Sequence, residues 1–288
     1  MRTVKSTELI ITKDGKIYHL NISREDIAND IIIVGDPDRV RQISSFFDSI
    51  ETQISHREFI THTGQYNNRR LSVISTGIGT DNIDIVMNEL DAVVNIDFES
   101  RMPTKEHTEL NIIRIGTSGA IQQNINVNTF IASSYALGFD NLAHFYQHEN
   151  IIEKEISRAF IKYSNWPKEL SDPYIVKSSK KLLKKFQHLE HGITVTAPGF
   201  YAPQGRTLRA ENSISELNEK LNAFSFKGKK ITNFEMETSA LYFLSKCLGH
   251  HALTICAIIG NRITQQYSSN HKKAINELID NVLKKITE

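Results

Sequence analysis

Three apolar stretches that stop on glycine constrain the fold of this chain more than any other feature. They are Asp30-Ile-Ile-Ile-Val-Gly35, Leu71-Ser-Val-Ile-Ser-Thr-Gly-Ile-Gly79 and Asn111-Ile-Ile-Arg-Ile-Gly116. A strand that is apolar along its whole length needs cover on both faces, as in a sheet held between helices. The intervening segments supply such helices. After Gly35-Asp36-Pro37-Asp38, the run Arg39-Val-Arg-Gln-Ile-Ser-Ser-Phe46 has helical apolar spacing. Pro37 suits the start of that helix, where its φ is preset and no N–H is needed. A second helical pattern follows Gly79 through Leu90. Residues 58–66 and 70–76 predict a hairpin turning on Asn67-Asn68.

Further strands are expected over 129–134, 192–197, 231–235 and 253–260, and helices over 238–247 and 272–287. A small-residue loop, Thr117-Ser118-Gly119-Ala120, is expected after the third strand. Strands alternating with helices indicate an α/β class with a covered central sheet. No repeat or linker divides the chain, so a single domain over residues 1–288 is expected. A polar excursion over 140–172 carries its own helix.

Composition narrows the function. The 34 basic and 33 acidic residues nearly cancel, which argues against a general nucleic-acid binder but leaves room for a local anion site. Cys247 and Cys256 are too few for a disulfide scaffold and have no metal-like neighbours. The first twenty residues lack the apolar core of a signal peptide, and no run approaches the ~20 apolar residues that span a membrane. A cytoplasmic setting without membrane contact is the expectation.

Ligands of open α/β sheets collect at the carboxyl ends of strands. There Gly35, Arg39, Arg114, Thr117 and Gly119 can hold one phosphate: glycine admits an anion to the backbone, and arginine offers a planar fork. Singly, each is equally a structural residue. Neither Gly77-Ile-Gly79 nor Gly116-Thr-Ser-Gly119 completes a dinucleotide or P-loop motif. Glu235-Met236-Glu237, between a strand and a helix, reads either as acceptors for sugar hydroxyls or as helix-start carboxylates. Phe200-Tyr-Ala-Pro-Gln204-Gly-Arg206 is either a surface loop or a stacking ring with an amide and a guanidinium. The amide and guanidinium match a base bearing two carbonyls and an N–H, such as uracil.

Together these residues resemble the nucleoside phosphorylase-I family, most closely its uridine-cleaving branch. The likeness is collinear. It runs through Tyr18-His-Leu-Asn-Ile22, Gly35-Asp-Pro-Asp-Arg39, His56-Arg-Glu-Phe59, Ser75-Thr-Gly-Ile-Gly79, Arg114-Ile-Gly-Thr-Ser-Gly-Ala120, the Phe200–Arg206 motif, Asn233-Phe-Glu-Met-Glu237 and Asn261-Arg262. It implies a single-domain, phosphorylase-type three-layer fold with a mixed central β-sheet flanked by helices. It implies cleavage of the N-glycosidic bond of uridine by inorganic phosphate, giving uracil and ribose 1-phosphate without an organic cofactor. The phosphate site would comprise Gly35, Arg39, Arg114 and Thr117, with Arg57 supplied by a neighbouring subunit. Ribose would meet Met236, Glu237 and Ile78, with His19 again from the neighbour. The base would meet Phe200, Gln204, Arg206, Ser118 and Gly119. Arg206, Gln204, Glu237 and Arg57 are the implied catalytic set, and a homodimer, or a hexamer built as a trimer of dimers, is the implied assembly.

Purine-cleaving relatives carry an aspartate after the last strand, where this chain reads Gly260-Asn261-Arg262-Ile263. A purine or broad-specificity phosphorylase is nonetheless the nearest rival, ahead of a non-catalytic nucleoside sensor and a hydrolytic nucleosidase. Three positions depart from the family pattern. Ser118 replaces a threonine. Gly260 replaces a branched apolar residue, which would widen the base pocket. Gly79-Thr-Asp-Asn-Ile83 alters the loop of the family's monovalent-cation (K+) site, here Glu58, Ile78 and Asn82.

Other signals read as structural. His144 and His148 have a metal-ligand spacing that nothing completes. Lys180, Lys181, Lys184 and Lys185, interrupted by Leu182, Leu183 and Phe186, make an amphipathic helix. His250-His251 follows a helix-ending Gly249.

Overall fold

The first apolar stretch forms β1 (Asp30–Val34), and Asp36 then caps α1 (Pro37–Ser44), its carboxylate accepting the Asp38 N–H at 3.0 Å. This cap places Arg39 in the first turn of α1, beside the strand end. The computed structural model describes residues 3–147 and 149–288; His148 lies outside the described residues. Next come β2 (Ser49–His56), β3 (Phe59–Tyr66), β4 (Arg69–Ser75) and α2 (Thr80–Asn95). Short strands β5 (Ile96–Asp97) and β6 (Met102–Pro103) precede β7 (Asn111–Ala120) and β8 (Phe130–Gly138). The polar excursion holds α3 (Lys154–Ser164), followed by β9 (Tyr174–Lys177), α4 (Lys180–Lys185) and β10 (Glu190–Thr196). The chain continues with α5 (Leu217–Ala223), β11 (Ser225–Phe226), β12 (Lys229–Glu235) and α6 (Thr238–Cys247). It ends with β13 (His251–Asn261), β14 (Gln266–Tyr267) and α7 (His271–Thr287).

The sheet is mixed. β4, β1, β7 and β13 run parallel, and β2, β3 and β4 add antiparallel hairpins at one edge. Beyond β13, β8 pairs antiparallel, and β10 and β12 then run parallel to β8. β12 returns to pair with the end of β7, so β7, β13, β8, β10 and β12 close into a ring. This closure brings the C-terminal ends of β7, β12 and β13 together, which the alternation of elements did not reveal.

Helices cover both faces, as expected of a three-layer α/β fold. Val86, Leu90, Phe243 and Leu244 bury the facing sides of α2 and α6, while Val40, Ile43, Leu278 and Val282 bury α1 and α7 on the other face. Phe160, Leu221 and Phe224 seal α3 and α5. Each such side chain contributes about 1.5–3 kcal/mol on burial. Asn67 and Asn68 both adopt positive φ, 48° and 60°, as a two-residue hairpin requires.

One expectation changes, and one strand has no counterpart in the sequence reading. Residues Thr117–Ala120 are not a loop: β7 continues through them, with Thr117 opposite Ala257 and Ala120 opposite Asn261. Small residues let the strand pass between β12 and β13, a constraint set by the ring and invisible locally. β2 is polar and exposed along much of its length, so it lacks an apolar signature and is held by its ladder with β3. Among the described residues no helix is long and apolar enough to cross a membrane.

Candidate active site

Arg114 lies buried on β7, between two carboxylates delivered by the β12–α6 junction. Its guanidinium pairs with Glu235 at 3.3 Å and makes a short contact with Glu237, and all three side chains are at most 6% exposed. Burial alone would lower the Arg114 pKa, but Glu237 and Glu235 outweigh it and push it well up. The Glu237 carboxyl is raised, first by burial and also by Glu235, against the pull of Arg114. The two readings of the acidic motif divide between its members. Glu235 takes the helix-start role, accepting the N–H groups of Glu237 and Thr238 at 2.9–3.1 Å and the Thr196 hydroxyl at 2.6 Å. Glu237 makes the closer contact with Arg114 and accepts the Gly79 N–H at 2.8 Å, joining the second glycine loop to the site.

Gly116 makes this placement possible. A Cβ there would lie 2.2 Å from Arg114 Nη1 and 2.9 Å from Cys256 Sγ, so only glycine lets the guanidinium lie along its own strand. Cys256 is buried beside it, and burial pushes its thiol up to about 11, leaving it an inert neighbour at neutral pH. Arg39 reaches the same region, with Nη1 3.4 Å from the Ile115 carbonyl. Its pKa is lowered by burial and by Arg114, against Asp36. Two guanidinium groups near Gly35 and Thr117 thus converge where an anion would relieve their repulsion.

His19 and Arg57 form a separate cluster. The Arg57 Nη2 donates to the Tyr18 hydroxyl at 3.2 Å, and its guanidinium carbon lies 5.2 Å from the Tyr18 ring centroid. The His19 Nδ1 lies 2.6 Å from Glu89 on α2, whose carboxylate also accepts the His19 and Leu20 N–H groups. Among the described residues neither makes a hydrogen bond or ion pair with Arg39, Arg114 or Glu237. Within one chain, then, these two do not join the anion pocket. Ile78 is 66% exposed and Met236 half-buried beside the loop and the junction that carry Glu237. Gly77 gathers the three residues of the altered cation loop: a Cβ there would meet the side chains of both Asn82 and Glu58, and the Asn82 amide is 3.5 Å from the Ile78 carbonyl.

The base-type residues also assemble. Arg206 lies over the Phe200 ring, 3.8 Å from its centroid, and its Nη1 donates to the Phe200 carbonyl at 2.6 Å and to Gln204 Oε1 at 2.5 Å. Gln204 is buried in a 3₁₀ turn (Ala202–Gln204) that ends at Gly205, while Phe200 stays half exposed. Ser118 is buried and accepts Asn233 Nδ2 at 2.9 Å; Gly119 pairs with Gly260 and lies against Arg262.

Sequence reasoning missed two contributors. Arg262 was part of a matching motif but had no role. It makes a short contact with the Gln204 carbonyl and sits over the Phe234 ring, and burial together with Arg206 lowers its pKa to about 10. Tyr267 left no signal. It pairs with Gly260 across the β13–β14 hairpin, and a Cβ on Gly260 would come within 3.1 Å of its ring. The Tyr267 ring, though 82% exposed, lies across the position that a side chain on Gly260 would take. Asn261 is committed to the turn, donating to the Gln122 and Ile125 carbonyls and accepting the Ile263 and Thr264 N–H groups; it has no free group for a base.

His250 is more than part of a helix end. Its buried Nδ1 accepts the Leu110 N–H at 3.2 Å, which puts the ring proton on Nε2, 3.2 Å from Asp91. Asp91, His107 and His250 hold ligand-type atoms within 4.8 Å of one another; His107 Nε2 is held on the Leu248 carbonyl, while the buried His250 Nε2 approaches Asp91 without completing a hydrogen bond. His144 Nε2 is held 3.0 Å from the Asp172 carbonyl. The lysine-rich helix is amphipathic, with Leu182 and Phe186 buried.

Two converging guanidinium groups, a buried carboxylate paired with one of them and an amide–guanidinium pair beside an exposed ring are parts that a phosphorolytic enzyme requires. The chain belongs to the phosphorylase superfamily, whose family pattern spans residues 30–287. It is 29% identical over 278 residues to a uridine phosphorylase of Thermococcus kodakarensis, covering 93% of this chain and 86% of the relative. It is 24% identical to a DeoD-type purine nucleoside phosphorylase of Bacillus thuringiensis, covering 91% and 95%. Its fold superposes on a Trypanosoma brucei nucleoside phosphorylase described as showing uridine phosphorylase activity, with a TM-score of 0.87, 28% identity and coverage of 96% and 98%.

Proposed function

We propose that this protein is a uridine phosphorylase, converting uridine and phosphate to uracil and ribose 1-phosphate. The observation that carries this reading is the Gln204–Arg206 pair, hydrogen-bonded to each other beside the Phe200 ring. Arg206 supplies donors only. Gln204 keeps its amide donors and one acceptor lone pair, matching the carbonyls and N–H of a pyrimidine edge. Phosphate, held by Arg39, Arg114, Gly35 and Thr117, attacks C1′ as the bond to N1 breaks. The proton carried by the phosphate ends on the released base. Charge developing on the base meets the preset donors of Arg206 and Gln204, while Glu237 and Met236 orient the ribose. No organic cofactor enters these steps. The Glu58 carboxylate and the Ile78 carbonyl are oxygen donors of the kind a structural K+ takes, and they would serve only to hold the loop. Free Cys247 and Cys256 suit a reducing cytoplasm.

A panel of nucleosides with and without phosphate tests the reading. Uridine cleavage that requires phosphate is expected; cleavage of inosine with none of uridine would overturn it, and phosphate-independent cleavage would indicate a nucleosidase.

The separation of His19 and Arg57 from the rest of the pocket favours a homodimer in which each chain completes the other's site. Arg39→Ala and Arg57→Ala proteins should each be nearly inactive, yet mixing after dissociation should restore about a quarter of wild-type activity, one intact site in half of the dimers. Absence of recovery, with mixed dimers verified, would place Arg57 in its own chain's site. At the base pocket, Gly260→Val should displace the Tyr267 ring and raise KM for uridine about tenfold, the effect of one poorly fitted apolar group, with KM for phosphate unchanged. Unaltered uridine kinetics would remove Tyr267 from the pocket wall.

A further inference from the structure

A cavity of about 450 Å³ opens at the opposite end of α6 from Glu237. Lys246 lies nine positions after Glu237, about 13 Å along a helix axis, so the cavity is distinct from the nucleoside site. Four lysines line it, Lys177, Lys180, Lys181 and Lys246, and no carboxylate residue does. Lys177 is held by Glu153 at 2.7 Å. Among the described residues, Lys180, Lys181 and Lys246 have no ion-pair partner.

The floor contains an unsatisfied group. Ser245, 1% exposed, lines the cavity, and its Oγ is buried without a hydrogen-bond partner among the described residues. A helix serine ordinarily returns its hydroxyl to the carbonyl one turn back, and a buried hydroxyl left unpaired costs about 1–3 kcal/mol. Lys246, half-buried, has its pKa lowered by burial and by Lys177, against Glu153. Such repulsion is relieved by an anion in the cavity.

We infer that this cavity is a binding site for a compact polyphosphate-type anion, seated by Lys180, Lys181 and Lys246 with Ser245 Oγ donating from the floor. The volume falls in the range of small-molecule sites. Several separate point charges suit a ligand carrying two or more phosphoryl groups better than one planar carboxylate, which an arginine fork would grip. Among the described residues no exposed aromatic ring lines the cavity, so nothing offers a stacking platform for a base.

Inorganic pyrophosphate is the probe, with the melting temperature of the whole protein as the readout in wild type, Arg39→Ala, Lys180→Gln/Lys246→Gln and Ser245→Ala. Near-saturating pyrophosphate should raise Tm by about 5 °C in wild type. The rise should persist in Arg39→Ala, whose active-site phosphate cradle is broken. It should vanish in Lys180→Gln/Lys246→Gln and fall by at least half in Ser245→Ala, both retaining wild-type uridine turnover. A rise lost in Arg39→Ala but kept in the lysine variant would assign pyrophosphate to the active site and overturn the inference. No rise in wild type, or one indifferent to Ser245, would equally overturn it, the latter by reducing it to diffuse charge attraction.

Discussion

Arg206→Ala is expected to lower kcat for uridine by about 10²–10³ while leaving KM for phosphate within about twofold. The asymmetry follows from where Arg206 is anchored. Its Nη1 is fixed by the Phe200 carbonyl and by Gln204 Oε1, in the loop after β10, whereas the phosphate-type arginines stand on α1 and β7. The pairing needs no rearrangement when charge develops on the departing base. A preset donor of this kind stabilises the transition state more than the ground state. Arg206→Lys should recover little, because an ammonium cannot lie flat on Phe200 and bond Gln204 at once. Steady-state kinetics with both substrates varied checks the prediction. A parallel loss of phosphate affinity would mean that Arg206 belongs to the anion pocket.

Arg114→Ala should combine the second large catalytic loss with a marked loss of stability. It removes a guanidinium from between Glu235 and Glu237, each nearly inaccessible to solvent. Removing one member of a buried ion pair leaves uncompensated charge and costs about 3–5 kcal/mol. For a chain of this size that corresponds to a fall in Tm of about 10 °C. Glu237→Gln should be milder in stability, since Glu235 still faces Arg114, yet it should raise KM for uridine through the ribose. The double variant Arg114→Met/Glu235→Gln should regain part of the lost stability without regaining activity. Calorimetry alongside turnover separates these outcomes. An Arg114→Ala protein as stable as wild type would show that the two carboxylates do not depend on this partner.

Much of this arrangement was legible in the chain itself. The apolar runs before Gly35 and Gly116 announce strands because no other structure buries both faces of so short a segment. Asp36-Pro37 announces the start of α1, and so the place of Arg39, because cap and proline act within one turn. The β12–α6 junction was legible for the same reason, but the division of labour between Glu235 and Glu237 was not. Which carboxylate also caps the helix and which makes the closer contact with Arg114 depends on where β7 passes, more than a hundred residues away in sequence. Tyr267 and Gly260 show the limit most clearly. A glycine among apolar residues signals space, and only the facing strand of the hairpin determines what fills it.

Taken alone, then, the sequence determined the α/β class and the positions of most strands and helices. These follow from periodicity, capping and side-chain chemistry, which act over a few residues. Tertiary structure alone decided that β12 closes a ring onto β7, that Thr117–Ala120 is strand, that Arg114 lies paired between carboxylates, and that His19 and Arg57 stand apart from their own pocket. Those outcomes depend on contacts between segments far apart in the chain, where packing and burial of charge outweigh local preference.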